Sequence, residues 1–251
     1  MALLRTRLPA AAALLVAMAA CSGGLGRQYE YEEQLYLNPD GSAAVVLNAS
    51  VPALIALRGL DLDPAPRARI DRGEVRGMVS EPGLEITRVS RPWRRDGRQF
   101  IQIRAEIEDV SALGRMKLFQ WSTYALTTTP EGAREYRQLV GAPAASPPPN
   151  AGWTGGELVA FKLHLPSRIL SHNVRLLETN EPGSYERGNI LTWEQRLSDR
   201  LAGKPIDMQV SMESGSILYR TLWLFALSFG AAMALLAAII WMVVRRARRR
   251  T

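Results

Sequence analysis

The 251-residue sequence predicts an α+β fold: a mostly antiparallel sheet built from hairpins, two or three helices on one face, and a C-terminal transmembrane helix. Three observations favour this fold. Segments with alternating apolar residues recur in pairs around Pro, Gly and Asp turns, which is typical of antiparallel hairpins. Segments between the hairpins carry helix start and stop signals. Near the C-terminus, the run from Leu222 to Val244 is apolar and uncharged.

The first residues, 1–21, are predicted to be a secretion signal. Two arginines precede the apolar stretch Leu8–Ala20, which is too short to span a bilayer and ends in small residues. The Met-Ala-Ala-Cys motif that ends at Cys21 resembles a bacterial lipobox, in which the cysteine is lipidated and becomes the first mature residue. Ordinary cleavage near Ala19, which would leave a free thiol, is the alternative. Because the chain has one cysteine, no internal disulfide is expected.

Residues 27–213 are predicted to form one exported α+β domain, which begins with a hairpin. Strands at Tyr29–Leu37 and Ala43–Ala49 flank an Asn-Pro-Asp-Gly turn, in which proline presets φ and glycine accepts a positive φ. A short helix follows at Pro52–Arg58, with a serine cap before it and a glycine stop after it.

A second, more polar helix is predicted from Pro66 to about Val79, with Ile70, Val75 and Met78 facing inward. The remaining strands are predicted from their alternation at Leu84–Arg91, Gln99–Ile107, Phe119–Thr127, Ala133–Val140, Leu158–Leu165, Ile190–Leu197 and Ile206–Met212.

The loop at 141–156 is rich in proline, alanine and glycine, and it is too poor in apolar side chains to pack a core of its own. Trp153 lies in this loop. We identify it as a candidate contact with membrane or ligand, and ordinary packing is the alternative.

The apolar run at 222–244 is long enough for a transmembrane helix, because about 20 helical residues cross the hydrocarbon core. Five arginines follow in the tail at 245–251, and basic flanks stay in the cytoplasm. The sequence therefore predicts a single-pass protein of the bacterial cytoplasmic membrane, with the domain outside and the C-terminus inside. A buried helix of a soluble domain is the alternative.

The formal charge of +7 is concentrated at the two ends of the chain. Without two arginines in the signal and five in the tail, 24 of the 31 basic residues remain, and they balance the 24 acidic ones. The exported domain is therefore close to neutral. Nucleic acid is not an expected partner, because its recognition depends on a basic surface.

Several short motifs resemble the LppM-type family of bacterial envelope proteins. They are the strand–turn–strand around Asn38–Ser42, the segment Phe161–Pro166 followed by His172-Asn173, and Leu191-Thr192-Trp193 before a last strand. The order of lipobox, exported domain, span and basic tail is also similar. The resemblance implies an envelope role without established catalysis, with lipid as one expected ligand, and it supplies no catalytic residues.

The sequence shows no motif that indicates catalysis, a cofactor or a metal. His164 and His172 are the only histidines, and neither belongs to an HExxH or CxxC arrangement. The acidic pair Glu32 and Glu33 is interpreted as a solvated strand face. No GxSxG, Walker or GxGxxG motif occurs.

The first functional hypothesis is therefore a non-enzymatic, membrane-anchored envelope module for binding or assembly. Its partner is the membrane together with a lipid ligand or a neighbouring membrane protein. One hypothesis is a lipid slot between the helices at Pro52–Val79 and the sheet, with the Trp153 loop as a lid. A fully packed core with only protein partners is the alternative. The alternative is an envelope hydrolase with a dispersed Ser/His/carboxylate site.

Overall fold

The computed structural model describes residues 27–186 and 189–248. The predicted signal, the lipobox with Cys21 and the last three residues of the basic tail lie outside these residues, so the predictions about them rest on the sequence.

The chain alternates strands with short helices. The strands are β1 (Tyr31–Leu37), β2 (Ala43–Ser50), β3 (Glu85–Val89), β4 (Trp93–Arg95), β5 (Arg98–Ile107), β6 (Ser122–Thr128), β7 (Arg134–Val140), β8 (Leu158–His164), β9 (Ser167–His172), β10 (Ile190–Arg196) and β11 (Ile206–Ser216). The helices are α1 (Val51–Arg58), α2 (Arg72–Val79), α3 (Leu197–Leu201) and α4 (Ile217–Arg248), with a 3-10 helix at Val110–Arg115.

The strands form two sheets. The first has the order β10-β8-β1-β2-β5-β3, with β4 also paired to β5, and the second has the order β6-β7-β11-β9. The pairs are antiparallel except β1 with β8, which run parallel. The α+β class with antiparallel-rich sheets is confirmed, but the single predicted sheet is in fact two. The chain passes from the first sheet to the second three times, between β5 and β6, between β8 and β9 and between β10 and β11. The passage from β8 to β9 is the corner at Leu165-Pro166.

The core lies between the sheets, against one face of each. In β1 the buried side chains alternate with more exposed ones, and the same parity continues through its neighbours β2 and β8. Side chains from both sheets and from α1 belong to one apolar cluster, which includes Leu35, Leu54, Tyr136 and Met208. The other face of the first sheet is polar, as expected for an antiparallel sheet with one solvated face.

Helix α1 begins and ends where the sequence predicts. The Ser50 hydroxyl accepts a hydrogen bond from the Ala53 N–H at 3.1 Å, which caps the first turn. Gly59 ends the helix at φ 67°, a conformation that glycine adopts without a Cβ clash.

Three local predictions need correction. Helix α2 is shorter than predicted and starts at Arg72, after its cap Asp71. Its buried residues are Val75 and Val79, whereas Met78 is 40% exposed. The segment Ser167–His172, for which the sequence predicts no strand, forms β9, because it completes the edge of the second sheet beside β11.

Candidate functional site

The apolar helix α4 follows the second sheet without a linker. Strand β11 ends at Ser216, and α4 begins at the next residue. The Ile217 N–H donates to the Pro166 carbonyl at 3.1 Å, which ties the start of the helix to the corner between β8 and β9. The span assigned by hydropathy starts at Thr221, about 6 Å further along the helix. The domain is therefore attached within one helical turn of the apolar segment.

Helix α4 has the length and composition of a membrane span. Its segment Thr221–Met242 has a mean hydropathy of 2.2, and none of it is buried by the rest of the protein. Trp223 and Phe229 are 69% and 70% exposed. A core helix of a soluble domain would bury such side chains, so this exposure disfavours the alternative that the sequence left open.

An open groove of about 920 Å³ lies at one end of the first sheet. Its walls come from the β1–β2 turn, the start of β3, the end of β5 and the 3-10 helix. Leu84, Ile107, Ala112 and Met116 form an apolar floor, and the rim is mainly acidic. We call this feature the end groove.

The end groove lies at the same end of the sheet as the start of α4. Because β1 and β8 are parallel, the end of β1 lies beside His164 at the end of β8. His164 is two residues before Pro166, whose carbonyl binds the Ile217 N–H at the start of α4. Ala43 of β2 pairs with Leu37 on one side and with Ile107 on the other. Three strand spacings of about 4.8 Å separate β8 from β5, so the end groove begins roughly 14 Å sideways from the corner.

A buried charged cluster occupies the core between the two sheets. Arg58, the last residue of α1, contacts Glu33 of β1 at 2.5 Å, and both side chains are only 2% exposed. The Arg58 guanidinium also donates to the Tyr31 hydroxyl, from Nε at 2.8 Å. That hydroxyl in turn donates to Glu33 at 2.8 Å. The carboxylate and the guanidinium are thus paired and hydrogen-bonded, which burial of charge requires.

The second sheet completes the cluster. The other Glu33 oxygen accepts from the Tyr124 hydroxyl at 3.1 Å and from the Gln138 amide at 2.9 Å. Tyr136 donates to Gln138 at 2.7 Å. Burial raises the pKa of Tyr31, Tyr124 and Tyr136 well above the ordinary value, so these phenols stay neutral donors. The cluster joins the two sheets through polar contacts.

The buried cluster corrects the prediction that Glu32 and Glu33 form a solvated strand face. Glu32 does lie on the polar face of the sheet, where it pairs with Lys162 at 2.6 Å. Glu33 points the other way and is 2% exposed. The signal was present in the sequence, because Glu33 shares the parity of the buried Tyr31 and Leu35.

Beside the cluster, the described residues line a partly open pocket of about 10 Å³. Arg58, Arg200 and Trp121 are among the residues that line it. The Trp121 indole nitrogen is buried without a hydrogen-bond partner among them. A space of this size holds one water molecule at most and is far too small for an organic ligand.

Trp153 is held in place by polar contacts. Its indole N–H donates to a Glu30 carboxylate oxygen at 2.9 Å, and the ring packs at the edge of the core. Arg98 Nε lies 2.9 Å from the same oxygen, and the Arg98 guanidinium also donates to the Gly152 carbonyl. These contacts lie at the start of β1, at the opposite end of the first sheet from the end groove.

The predicted lipid slot between the helices and the sheet is filled with side chains. Ala53, Leu54 and Ala56 of α1 are fully buried, and Leu57 is 5% exposed. Val75 and Val79 close the contact with α2. Among the described residues, this region holds no cavity large enough for an acyl chain.

The two histidines lie apart. His164 stacks on Tyr36 with ring centroids 3.9 Å apart, and burial together with the nearby Lys162 charge lowers its pKa. His172 lies at the end of β9, and its Nδ1 is buried without a partner among the described residues. Those residues contain no group of three His, Cys, Asp or Glu side chains that is arranged to hold a metal ion.

A shallower groove on the second sheet brings hydrolase-type residues together. Ser171, Ser211, His172 and Glu135 all line it, with a volume of about 360 Å³. Ser211 lies opposite Glu135 on one side and opposite Ser171 on the other. Within the described part of the chain, however, no hydrogen bond joins either hydroxyl to His172. The contact between nucleophile and base that defines such a site is therefore not formed.

Comparison with known proteins gives one structural neighbour. This chain is similar to the folded domain of the Mycobacterium tuberculosis LppM protein, solved by NMR, with 12% sequence identity and a TM-score of 0.37. The alignment covers 76% of this chain and 94% of that one. No family model and no curated protein matches this chain.

Proposed function

We propose that this protein is a non-enzymatic, membrane-anchored module of the bacterial envelope that binds a neighbouring membrane protein. We further propose that it belongs with the LppM-type proteins that its short motifs resemble. The observation that carries the functional proposal is the junction between β11 and α4. Since Ser216 and Ile217 are adjacent and Ile217 is tied to Pro166, the domain reaches only partners close to the bilayer.

Charge and packing support a binding role in which the domain faces the envelope. The arginines in the last turn of α4 and after it support a cytoplasmic C-terminus, and with it a nearly neutral domain outside the membrane. The core leaves no room for an acyl chain between α1 and the sheet, so a protein partner fits the domain better than a lipid held in its interior.

Lipidation of Cys21 belongs to the same proposal and has a geometric consequence. Arg27 forms an ion pair with Glu194 of β10, and Glu194 lies directly opposite Ala160 of β8 in the strand pairing. The distance from Ala160 to Pro166 along the strand is about 20 Å. The six residues from Cys21 to Arg27 reach at most about 21 Å. The length of this tether is therefore just sufficient for both anchors to lie in one bilayer.

Lipidation is tested with labelled fatty acid in cells. The wild type is expected to incorporate label, Cys21→Ser is expected to incorporate none, and the variant should stay in the membrane through α4. Equal labelling of the two proteins would exclude Cys21 as the acceptor.

The binding role is tested by photo-crosslinking in cells, with p-benzoylphenylalanine at one of two exposed apolar positions. Leu170, which is 52% exposed, lies on β9 near the α4 junction. Trp93, which is 39% exposed, lies at the far end of the first sheet and is the matched control. We expect discrete crosslinks to membrane proteins from the Leu170 position and fewer from the Trp93 position.

The same experiment is repeated with ten Gly/Ser residues inserted between Ser216 and Ile217. Because this linker frees the domain from the bilayer, the yield from the Leu170 position should fall. Equal yields from both positions, or a yield that the insertion leaves unchanged, would reject the proposed function.

The hydrolase alternative rests on the groove lined by Ser171, Ser211, His172 and Glu135. A fluorophosphonate probe reacts with activated serines, so the proposed function predicts no labelling of the full-length protein in detergent. Labelling of the wild type that disappears in Ser171→Ala or Ser211→Ala would favour the hydrolase.

A further inference from the structure

The end groove combines an apolar floor with an acidic rim. Three of the four floor residues are largely covered, since Leu84, Ile107 and Ala112 are at most 9% exposed, and Met116 is partly exposed. A lipid chain gains affinity in proportion to the apolar area it buries, and this floor leaves little to bury. Recognition in the end groove therefore depends mainly on the charges of its rim.

Two of the rim carboxylates face each other across a strand pair. Glu85 of β3 lies directly opposite Glu106 of β5, and both side chains are exposed. Like charges in this position repel and destabilise a sheet unless a cation lies between them. The nearest basic pair in the register is Arg88 opposite Arg104, and among the described residues neither arginine forms an ion pair with these glutamates.

The end groove as a whole is negatively charged. Four carboxylates line it, and Arg115 is the one basic residue in its lining, so the formal charge is −3. The carboxylates are Glu85, Glu106, Glu108 and Asp109. The exported domain is otherwise close to neutral. This local excess of negative charge is complementary to a cationic ligand.

We propose that the end groove is a docking site for a basic segment of a neighbouring membrane protein, in which Lys or Arg alternates with apolar residues. The inference rests on the proposed function and names the partner's chemistry. The basic side chains of this segment lie between Glu85 and Glu106. Its apolar side chains contact the edge of the apolar floor. Because the end groove and the start of α4 share one end of the sheet, such a segment comes from just outside the bilayer.

The test uses the full-length protein in phosphatidylcholine nanodiscs, which carry no net charge. The probe is fluorescein-labelled Gly-Leu-Arg-Leu-Arg-Leu-Arg-Gly, and its affinity is measured by fluorescence anisotropy. Empty nanodiscs and a peptide with Glu in place of Arg are the controls. We expect saturable binding of the arginine peptide that weakens as salt rises, and no binding of the glutamate peptide.

The variant E85Q/E106Q/E108Q removes three carboxylates from the end groove. The matched control E135Q/E178Q/E181Q removes three exposed carboxylates elsewhere, with the same change in net charge. The groove variant should bind the arginine peptide about tenfold more weakly, whereas the control should bind it like the wild type. The thermal midpoint of the groove variant should not fall, because the substitution relieves the repulsion between Glu85 and Glu106.

Equal weakening in both triple variants, or wild-type binding by the groove variant, would overturn the docking site. Competition by phosphatidylethanolamine in the nanodisc would identify the end groove as a lipid headgroup site and would also overturn the proposal. Leu170 does not line the end groove, so its crosslinks test the proposed function separately. Crosslinks that persist while the peptide fails to bind would reject the docking site alone.

Discussion

At the scale of single residues, Glu33 links both sheets and a helix through one buried carboxylate. Its two oxygens accept hydrogen bonds from α1, β1, β6 and β7, so one side chain fixes the relative position of both sheets. Removing water from a charged pair costs several kcal/mol, roughly what the pairing returns. The cluster therefore contributes mainly to the uniqueness of the packing, and breaking it is costly.

The first prediction concerns Glu33→Gln, which keeps the shape of the side chain and leaves Arg58 buried without a counter-charge. The free energy of unfolding should fall by about 3 kcal/mol. For a domain of this size, the thermal midpoint should then drop by roughly 10 °C. Thermal unfolding of the detergent-solubilised protein, followed by intrinsic fluorescence, measures this change.

The control for Glu33→Gln is the double variant E33Q/R58M, which also removes the orphaned charge. It should recover part of the lost stability. A double variant that is less stable than Glu33→Gln alone would contradict the assignment of the cost to an uncompensated Arg58.

A second prediction concerns Glu32 on the opposite face of the same strand. Burial tends to raise the pKa of this carboxyl, but hydrogen bonds and the charge of Lys162 outweigh burial and hold the pKa below its ordinary value of 4.5. Because the pKa of Glu32 is lower in the folded state, the ionised carboxylate stabilises the folded protein above pH 4.5. This stabilisation is lost as the pH falls through the pKa of the folded state.

Thermal midpoints at pH 7 and pH 3 test this linkage. The wild type should lose more stability on acidification than Glu32→Gln, which has no carboxyl to protonate. Glu135→Gln, at an exposed position that forms no ion pair among the described residues, should behave like the wild type. An identical pH dependence for wild type and Glu32→Gln would show that the Lys162 pair is not linked to folding.

At the scale of elements, helix ends and strand ends decide where the chain changes direction. Helix α1 is short, so its stability depends on its two caps and on the burial of seven of its eight residues. Strand β11 is longer than its sequence pattern suggests, because it continues past Met212 to pair with Ser167 beside the start of α4. That extension removes the flexible linker that the sequence alone would allow.

The third prediction tests the cap of α1. Ser50→Ala removes the hydroxyl that accepts from the Ala53 N–H, at a site with no exposed surface, so the N–H cannot bond to water instead. The expected cost is about 1 kcal/mol, or a midpoint lowered by roughly 3 °C. Ser171→Ala, on the surface of β9, is the control and should leave the midpoint within about 1 °C. Equal midpoints for the two variants would mean that the cap contributes nothing measurable.

At the scale of the whole molecule, the two ends of the α+β domain lie apart along the first sheet. The Glu30 N–H donates to the Leu158 carbonyl at the start of β8, whereas Ile217 is bound at Pro166 beyond its end. About 25 Å of strand separates these points. The end groove lies near the α4 junction, and Trp153 lies at the opposite end, so the two features face different surroundings.

The fourth prediction is the topology of the full chain. Protease added to intact spheroplasts should degrade the domain and spare an epitope tag placed after Thr251, because the bilayer shields the cytoplasmic tail. Lysed spheroplasts, in which the tag should also be degraded, are the control. Loss of the tag from intact spheroplasts at the same rate as loss of the domain would reverse the proposed orientation.

Local patterns in the sequence determined many, though not all, of the elements of this protein. Alternation of apolar residues predicted the positions of β5, β8 and β10, and the Ser50 and Gly59 caps predicted α1. These features depend on neighbouring residues alone: side chains alternate along a strand, and caps satisfy the groups of their own helix. The apolar run at 222–244 was likewise predicted as a candidate membrane span from the sequence, since length and hydropathy suffice to identify one.

Only the tertiary structure decided how these elements combine. The division into two sheets depends on pairings such as β9 with β11, between segments far apart in the chain. The burial of Glu33 depends on Arg58, Tyr124 and Gln138, which lie on three other elements. The end groove likewise joins β3 and β5 to the β1–β2 turn. Contacts of this kind leave no local periodicity in the sequence, because each half of the contact is compatible with many partners.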